Sequence, residues 1–369
     1  MSLTLRKSPT LELAAAIDEA RRAGRTAYSL STPTFEDRSI APPELASPKT
    51  TLSPAAGFPE LRKMTRARLF AKWQHAQHDC VICGGAKAAI YCILRAMLSP
   101  GDRVLIVSPH WPSYEDLAEL AHLDTRFLET RAEDGFALDA QSLEKALEQG
   151  NAKAVVCSNP GNPSGKILSH QEFDTLRAAT AAAGAFLLID ESFSGIIFDA
   201  EKWQSSVCAA DNHIFVVNSF SKNFHLQGLR LGACLVPQTW SPQVIAAHQT
   251  ILSAAPTPSQ NMALQAISTV ASDVDDYREQ RHLMLEFIAS RGWPHVATEG
   301  SFYIFPRIEK IDLFREQLEA HDVLSLPGEA FGAPYRNHTR ICFGKPLHEV
   351  HALIDTMQDA LGSRKGEVA

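Results

Sequence analysis

Short apolar runs separated by amphipathic stretches set the texture of the chain. Val104–Val107, Ala154–Cys157, Phe186–Ile189, Ile214–Val217 and Ala233–Val236 are apolar throughout. They are too short for helices and lack the alternation of a half-exposed strand, which predicts strands buried on both faces. Between several of them, Ala140–Glu148 and Ser169–Ala183 space their apolar residues as helices do. Strands alternating with helices predict βαβ units and a mostly parallel sheet, an α/β fold. A helix-like stretch, Leu11–Arg25, opens the chain, and a Pro/Ser/Thr-rich stretch from Ser29 to Pro54 follows. From about Asp275 the texture changes. A charged helix (Asp275–Arg291) leads to Phe302–Phe305, then to Ile308–Ala320, Arg340–Phe343 and a last helix, Pro346–Leu361. That order predicts a smaller α+β unit, with the N-terminal helix packed against it.

Composition narrows the function classes. The 369 residues, 45% hydrophobic and 21% charged, can bury a sizeable core, which excludes a disordered tail or a collagen-like fibre. Net charge is 35 − 42 = −7, so the basic stripe of a dedicated nucleic-acid binder is not expected. No apolar run reaches the roughly 18 residues of a membrane helix, and the first residues carry no signal-like block, so a soluble, cytoplasmic protein is the expectation. Seven cysteines without framework spacing suit a reducing compartment. Cys80 and Cys83, with His75 and His78 upstream, have metal or redox spacing but no matching second pair, so they read as structural thiols. His348 and His351 read as a solvated helix face, and no metal site is expected.

The chemistry gathers where the strand-like runs end. Asn218-Ser219-Phe220-Ser221-Lys222 is followed by Gly228-Leu229-Arg230-Leu231-Gly232. A lysine in a partly desolvated pocket can lose its proton and attack a carbonyl, and two serines with an arginine can bind a phosphate. Alone, such a lysine would more often be a solvated loop residue. Asn159-Pro160-Gly161-Asn162-Pro163-Ser164-Gly165 ends a second run, Asp190-Glu191-Ser192-Phe193 a third, and Arg340-Ile341-Cys342-Phe343 lies near the end of the chain.

These residues, in this order, resemble the class I/II aminotransferases, pyridoxal-phosphate enzymes of fold type I related to aspartate aminotransferase, from roughly Ser29 to Phe343. The resemblance implies a fold type I α/β architecture. A large cofactor domain would span residues 49–278, and a small domain would be assembled from residues 1–48 and 279–369. It implies that Lys222 joins covalently to the cofactor and moves the proton at the substrate Cα, and that Asp190 pairs with the pyridine nitrogen. Gly85, Ala86 and Lys87, in a turn that opens a helix after the strand-like Asp79–Cys83, would hold the phosphate with Ser219, Ser221 and Arg230. Trp111 would stack on the ring and Asn162 would bond its phenolic oxygen. Arg340 would grip the substrate carboxylate, helped by Asn162 and Ser31. His225 and Tyr114 are pocket candidates by proximity in sequence alone.

Two positions depart from the family pattern. Phe193 stands where a tyrosine hydroxyl normally meets the cofactor's phenolic oxygen. Leu52 stands where a tyrosine normally reaches the phosphate of the neighbouring subunit in a homodimer. The family's glycines before the Pro-x-Phe of Pro33-Thr34-Phe35 are missing too, which weakens the expected contact from Ser31. The losses fall on residues that tune the cofactor, while Lys222, Asp190, Asn162, Arg230 and Arg340 are present. The resemblance therefore implies an aminotransferase moving the amino group of an L-amino acid to a 2-oxo acid. The alternatives are a lyase or cyclase acting on an amino acid through the same cofactor, and a non-catalytic cofactor-binding module.

Overall fold

The structure, a computed structural model, describes residues 7–35, 51–73, 77–205, 211–269 and 274–362. His75 and the 48/49 boundary between the expected domains lie outside these residues.

Seven strands form the central sheet: β1 (His78–Cys83), β2 (Arg103–Ser108), β3 (Asp124–Glu129), β4 (Ala152–Ser158), β5 (Phe186–Asp190), β6 (Ile214–Ser219) and β7 (Gly232–Pro237). Their order is β1-β7-β6-β5-β4-β2-β3. The pairs from β3 to β6 are parallel, while β7 runs antiparallel to both β6 and β1. Neighbouring residues along one strand enter different hydrophobic clusters: Leu105 and Val155 face one side, Val104, Ile106, Ala154 and Val156 the other. Burial on both faces is why these strands read as unbroken apolar runs. The strand β3 was not anticipated. It lies at the sheet edge, and of Asp124, Thr125, Arg126, Phe127, Leu128 and Glu129 only Leu128 is buried.

Helices connect the strands: α1 (Pro9–Arg22) and α2 (Pro59–Leu69) precede β1; α3 (Ala86–Met97), α4 (Ser113–Leu120), α5 (Ala140–Gly150) and α6 (His170–Ala182) follow β1 to β4 in turn. Their starts are written in the sequence. Asp139 accepts from the Ser142 N–H at 2.8 Å at the head of α5. At α6, Ser169 and Glu172 exchange backbone and side-chain bonds of 3.2 and 2.8 Å, a capping box.

The C-terminal region forms its own cluster, including Phe287, Phe302, Ile304, Phe314, Val350 and Met357, and joined by Leu30 from the N-terminal side. Two strand pairs build it: Tyr28–Ser29 beside Val323–Leu324, and Tyr303–Ile304 against Ile341–Cys342. The apolar stretches Phe302–Phe305 and Arg340–Phe343 thus contribute only two strand residues each. α1 packs here as expected, with Leu13 beside Phe305 and Leu326, and Ile17 near Leu324. Cys80 and Cys83 lie in the core, where burial pushes the Cys80 thiol up to about 12. His348 and His351 are exposed on the last helix.

One ion pair is enclosed beneath the sheet. Lys72 Nζ lies 3.1 Å from Glu191 Oε1 and 3.2 Å from the centre of the Trp203 ring, and Trp73 Nε1 donates to Glu191 Oε2 at 3.2 Å. Burial pushes the lysine down and the carboxyl up, and each partner opposes the other's shift. Lys72→Ala strands the Glu191 carboxylate, so chemical denaturation should show a loss of about 3–5 kcal/mol. A loss below about 1 kcal/mol would mean that water or a neighbour satisfies Glu191 instead.

Candidate active site

The C-terminal ends of β1, β2, β4, β5 and β6 and the start of β7 share one edge of the sheet, because Cys83 and Ser219 both pair with Gly232. The loops leaving this edge surround a cavity of about 570 Å³. It is lined by Ala86, Lys87, Trp111, Asn162, Asp190, Ser219, Ser221, Lys222, Arg230 and Arg340, so residues far apart in sequence meet at the crevice where α/β sheets bind ligands.

Lys222 follows β6 in a single helical turn whose cap is Ser219, accepting from the Ser221 N–H at 3.1 Å. Its amine is enclosed by protein, 5.1 Å from the centre of Phe35 and 5.9 Å from that of Phe302. Burial, with Arg340 and Arg230 adding repulsion, brings the amine down to about 8. Asp190 ends β5, is 4% exposed, and accepts from the Tyr114 hydroxyl at 2.8 Å and from the Ser192 N–H and hydroxyl at 2.9 and 2.6 Å. All three donors are neutral, and burial raises the carboxyl despite them.

Arg340 is 2% exposed. It donates from Nη1 to Asn162 Oδ1 at 2.9 Å and from Nη2 to the Ser31 carbonyl at 2.7 Å. Its guanidinium lies between two rings, 4.2 Å from the centre of Tyr303 and 4.9 Å from that of Phe331, and its buried Nε has no hydrogen-bond partner among the described residues. At the other end of the cavity, α3 begins after Gly85, whose φ of 97° suits glycine. A side chain at Gly85 would sit 3.2 Å from the Arg230 guanidinium, and one at Gly232 would meet the Ala86 amide at 2.5 Å. Backbone N–H groups of a helix start, an arginine and the hydroxyls of Ser219 and Ser221 thus share one corner. Lys87 points along this wall with its ammonium 5.1 Å from the Trp111 ring centre, and burial lowers it while Asp116 opposes.

Three expectations change in detail. Ser31 does not line the cavity: its hydroxyl donates to the Arg340 carbonyl at 2.8 Å and accepts from the Leu326 N–H at 2.9 Å, leaving only its own carbonyl for Arg340. His225 is turned to the Tyr277 hydroxyl at 2.8 Å and packs against the Phe35 ring, with ring centres 4.6 Å apart. Tyr114 proves to be the aromatic donor to Asp190; its place three residues after Trp111, at the head of α4, was the available signal. Ser8, Thr10, Leu11 and Pro33 also line the cavity, and nothing local in the sequence announces them.

A family model, aminotransferase class I and II, matches residues 31–357. The chain belongs to this family. It is 30% identical over 321 residues to a probable N-acetyl-LL-diaminopimelate aminotransferase of Bacillus subtilis (strain 168), covering 84% of this chain and 81% of that protein. It is 26% identical over 381 residues to the aspartate/prephenate aminotransferase of Thermus thermophilus, covering 97% of each. The solved aspartate aminotransferase of Thermotoga maritima superposes with a TM-score of 0.88 at 25% identity, over 97% of this chain and 98% of that one. The chain is a fold type I enzyme dependent on pyridoxal phosphate. The residues present fit that cofactor. Asp190 is a buried carboxylate with no cation beside it among the described residues, Lys222 is an enclosed amine near neutrality, and the Gly85 corner leaves room beside an arginine.

Two outcomes follow from this geometry. Below pH 8 Lys222 is mainly an ammonium and above it a free amine. Labelling of apoprotein Lys222 by a small aldehyde, trapped with borohydride, should therefore rise through about pH 8 and level off. A rate still climbing near 10.5, the ordinary lysine value, would remove the lowered amine. Phe193 packs edge-on against Phe302 and Tyr303, with ring centres 5.3 and 5.6 Å away, and lines the cavity. Phe193→Tyr should move the pH midpoint of the bound cofactor's visible band down by about one unit, the size of one added hydrogen bond. An unmoved midpoint means that the hydroxyl does not reach.

Proposed function

We propose that this protein transfers the amino group of an L-amino acid to a 2-oxo acid, with the substrate held between a large unit (residues 49–278) and a smaller one drawn from both chain ends. One observation carries the reading: an enclosed amine near neutrality, a buried carboxylate without a cation and a buried arginine with a free Nε all face one cavity. When bound, pyridoxal phosphate supplies an aldehyde that joins to amines and a ring that draws electrons from the carbon next to the nitrogen.

The chain's own groups do the rest. Arg340, locked between Tyr303 and Phe331, holds the substrate carboxylate and so fixes the direction of the Cα–H bond. Lys222 takes the Cα proton and returns it on the far side of the transfer, a task that suits an amine brought down to about 8. Asp190 keeps a proton on the ring nitrogen, and Tyr114 and Ser192 keep its carboxylate pointed there. Asn162 spends its amide oxygen on Arg340, which leaves its NH₂ for the phenolic oxygen. Ala86, Lys87, Ser219, Ser221 and Arg230 would hold the phosphate, Gly85 would leave the space for it, and Trp111 would stack on the ring. The fixed grip on the carboxylate favours transfer over decarboxylation, which would release the group Arg340 holds. Among the described residues no helix is long and apolar enough to cross a membrane. The expected assembly is a homodimer in the cytoplasm, in which Leu52, 73% exposed, makes no phosphate contact across the interface.

The test is to mix holoprotein with a panel of amino acids and follow the visible cofactor spectrum. Conversion to the aminated cofactor, reversed by a 2-oxo acid and absent in Lys222→Ala, is expected. Release of ammonia without the aminated form would replace transfer by elimination, and no change with any amino acid would leave a binding module.

A further inference from the structure

A chain of three polar side chains lies against the site without lining its cavity. Ser108 ends β2, and Ser108 and His110 are each 1% exposed. Ser108 Oγ is 2.7 Å from His110 Nδ1, and His110 Nε2 is 2.8 Å from Glu115 Oε1. A carboxylate only accepts, so Nε2 donates to Glu115 and Nδ1 accepts from the serine hydroxyl; that tautomer, assigned from its partners, satisfies all three groups. The imidazole also stacks on Phe127, with ring centres 5.2 Å apart and planes 18° apart.

The three residues lead to different parts of the site. His110 precedes Trp111, and its backbone N–H donates to the Phe331 carbonyl at 3.1 Å; Phe331 is one of the two rings that hold Arg340. Glu115 stands in the first turn of α4 beside Tyr114, the donor to Asp190. The Ser108 carbonyl accepts from the Thr130 hydroxyl at 2.7 Å, and the Thr130 carbonyl accepts from Tyr335 at 2.8 Å, so the C-terminal region is tied in a second time. His110 thus binds the neighbours of all three parts: its side chain holds Ser108 and Glu115, and its backbone N–H holds Phe331, one of the rings beside Arg340.

We propose that His110 is a positioning residue that sets the cofactor face and the substrate-carboxylate grip together. It rests on the aminotransferase reading above for the identity of the two ligands. The imidazole passes its constraint through backbone it shares with Trp111 and through α4, and it reaches Arg340 only by way of Phe331. Losing its two side-chain hydrogen bonds weakens both ligands in parallel.

The experiment measures two equilibrium constants that need no turnover. One is dissociation of pyridoxal phosphate from apoprotein, followed by tryptophan fluorescence. The other is dissociation of succinate, an unreactive dicarboxylate, from holoprotein by calorimetry. His110→Phe keeps a flat ring but removes both of the imidazole's hydrogen bonds, to Ser108 and to Glu115, and each constant should rise about tenfold. His110→Gln keeps a donor for Glu115 and should recover most of both. A His110→Phe protein with a lower melting temperature and either constant unchanged overturns the proposal, since that is what a structural histidine would show. Should His110→Phe fail to fold, Glu115→Gln alters the chain at its partly exposed end and should raise both constants about threefold; unchanged constants there overturn it equally. Wild-type holoprotein that binds both ligands and converts no amino acid would sink the aminotransferase reading alone and leave the coupling standing.

Discussion

The site depends on keeping an enclosed amine and a buried carboxylate in one cavity without letting them pair. A salt bridge between Lys222 and Asp190 would satisfy both charges and fill the space between them, and none forms among the described residues. Asp190 ends β5 and Lys222 follows β6, so the neighbouring parallel strands hold the two side chains at fixed places on one edge. Neutral donors, Tyr114 and Ser192, orient the carboxylate without neutralising it. Burial then does opposite things to the two groups: it makes the amine easier to deprotonate and leaves the carboxylate in want of a cation. Both effects are what a cofactor with an aldehyde and a basic ring nitrogen requires.

That division of labour explains which parts of the molecule were legible in the sequence. Strands buried on both faces cannot hide, and the runs at Val104, Ala154, Phe186, Ile214 and Ala233 all became sheet strands, extended by one or two residues at one or both ends. The edge strand β3 was not legible because exposure leaves its residues free to be polar. In the C-terminal region apolar runs reflect burial in a helical cluster more than sheet, so Phe302–Phe305 and Arg340–Phe343 overstate their strands. Site residues in loops after strands could be found because their chemistry has few other uses there. Ser8, Thr10 and Leu11 reach the cavity only through the packing of α1 on the distant Phe305 and Leu326, a contact that no local pattern encodes.

The departures at Phe193 and Ser31 share a physical logic. At Phe193 the hydroxyl that would have met the ligand is absent and the ring packs among aromatic rings at the cavity wall, while at Ser31 the hydroxyl is turned to internal bonding. Phe193 joins a group of aromatic rings with Phe302 and Tyr303, which also pack against Tyr277 or Arg340. The Ser31 hydroxyl bridges the Arg340 carbonyl and the Leu326 amide, joining the N-terminal segment to the C-terminal region.

That frame is also where the protein gives up stability for function. The Arg340 guanidinium is almost wholly removed from water, and its bonding partners there are an amide oxygen and a backbone carbonyl, neither of which carries a charge. The two aromatic faces compensate a cation only in part, and Nε is left without an acceptor. Elsewhere in the fold a buried charge has its opposite beside it, as Lys72 has Glu191. In the cavity, the positive charge of Arg340 and the negative charge of Asp190 are each left for a ligand to answer. On the proposed function, a carboxylate would answer one and a protonated ring nitrogen the other. Burying two charges without an opposite charge beside either is costly, so selectivity for a ligand that meets both is built into the cost of folding the cavity at all.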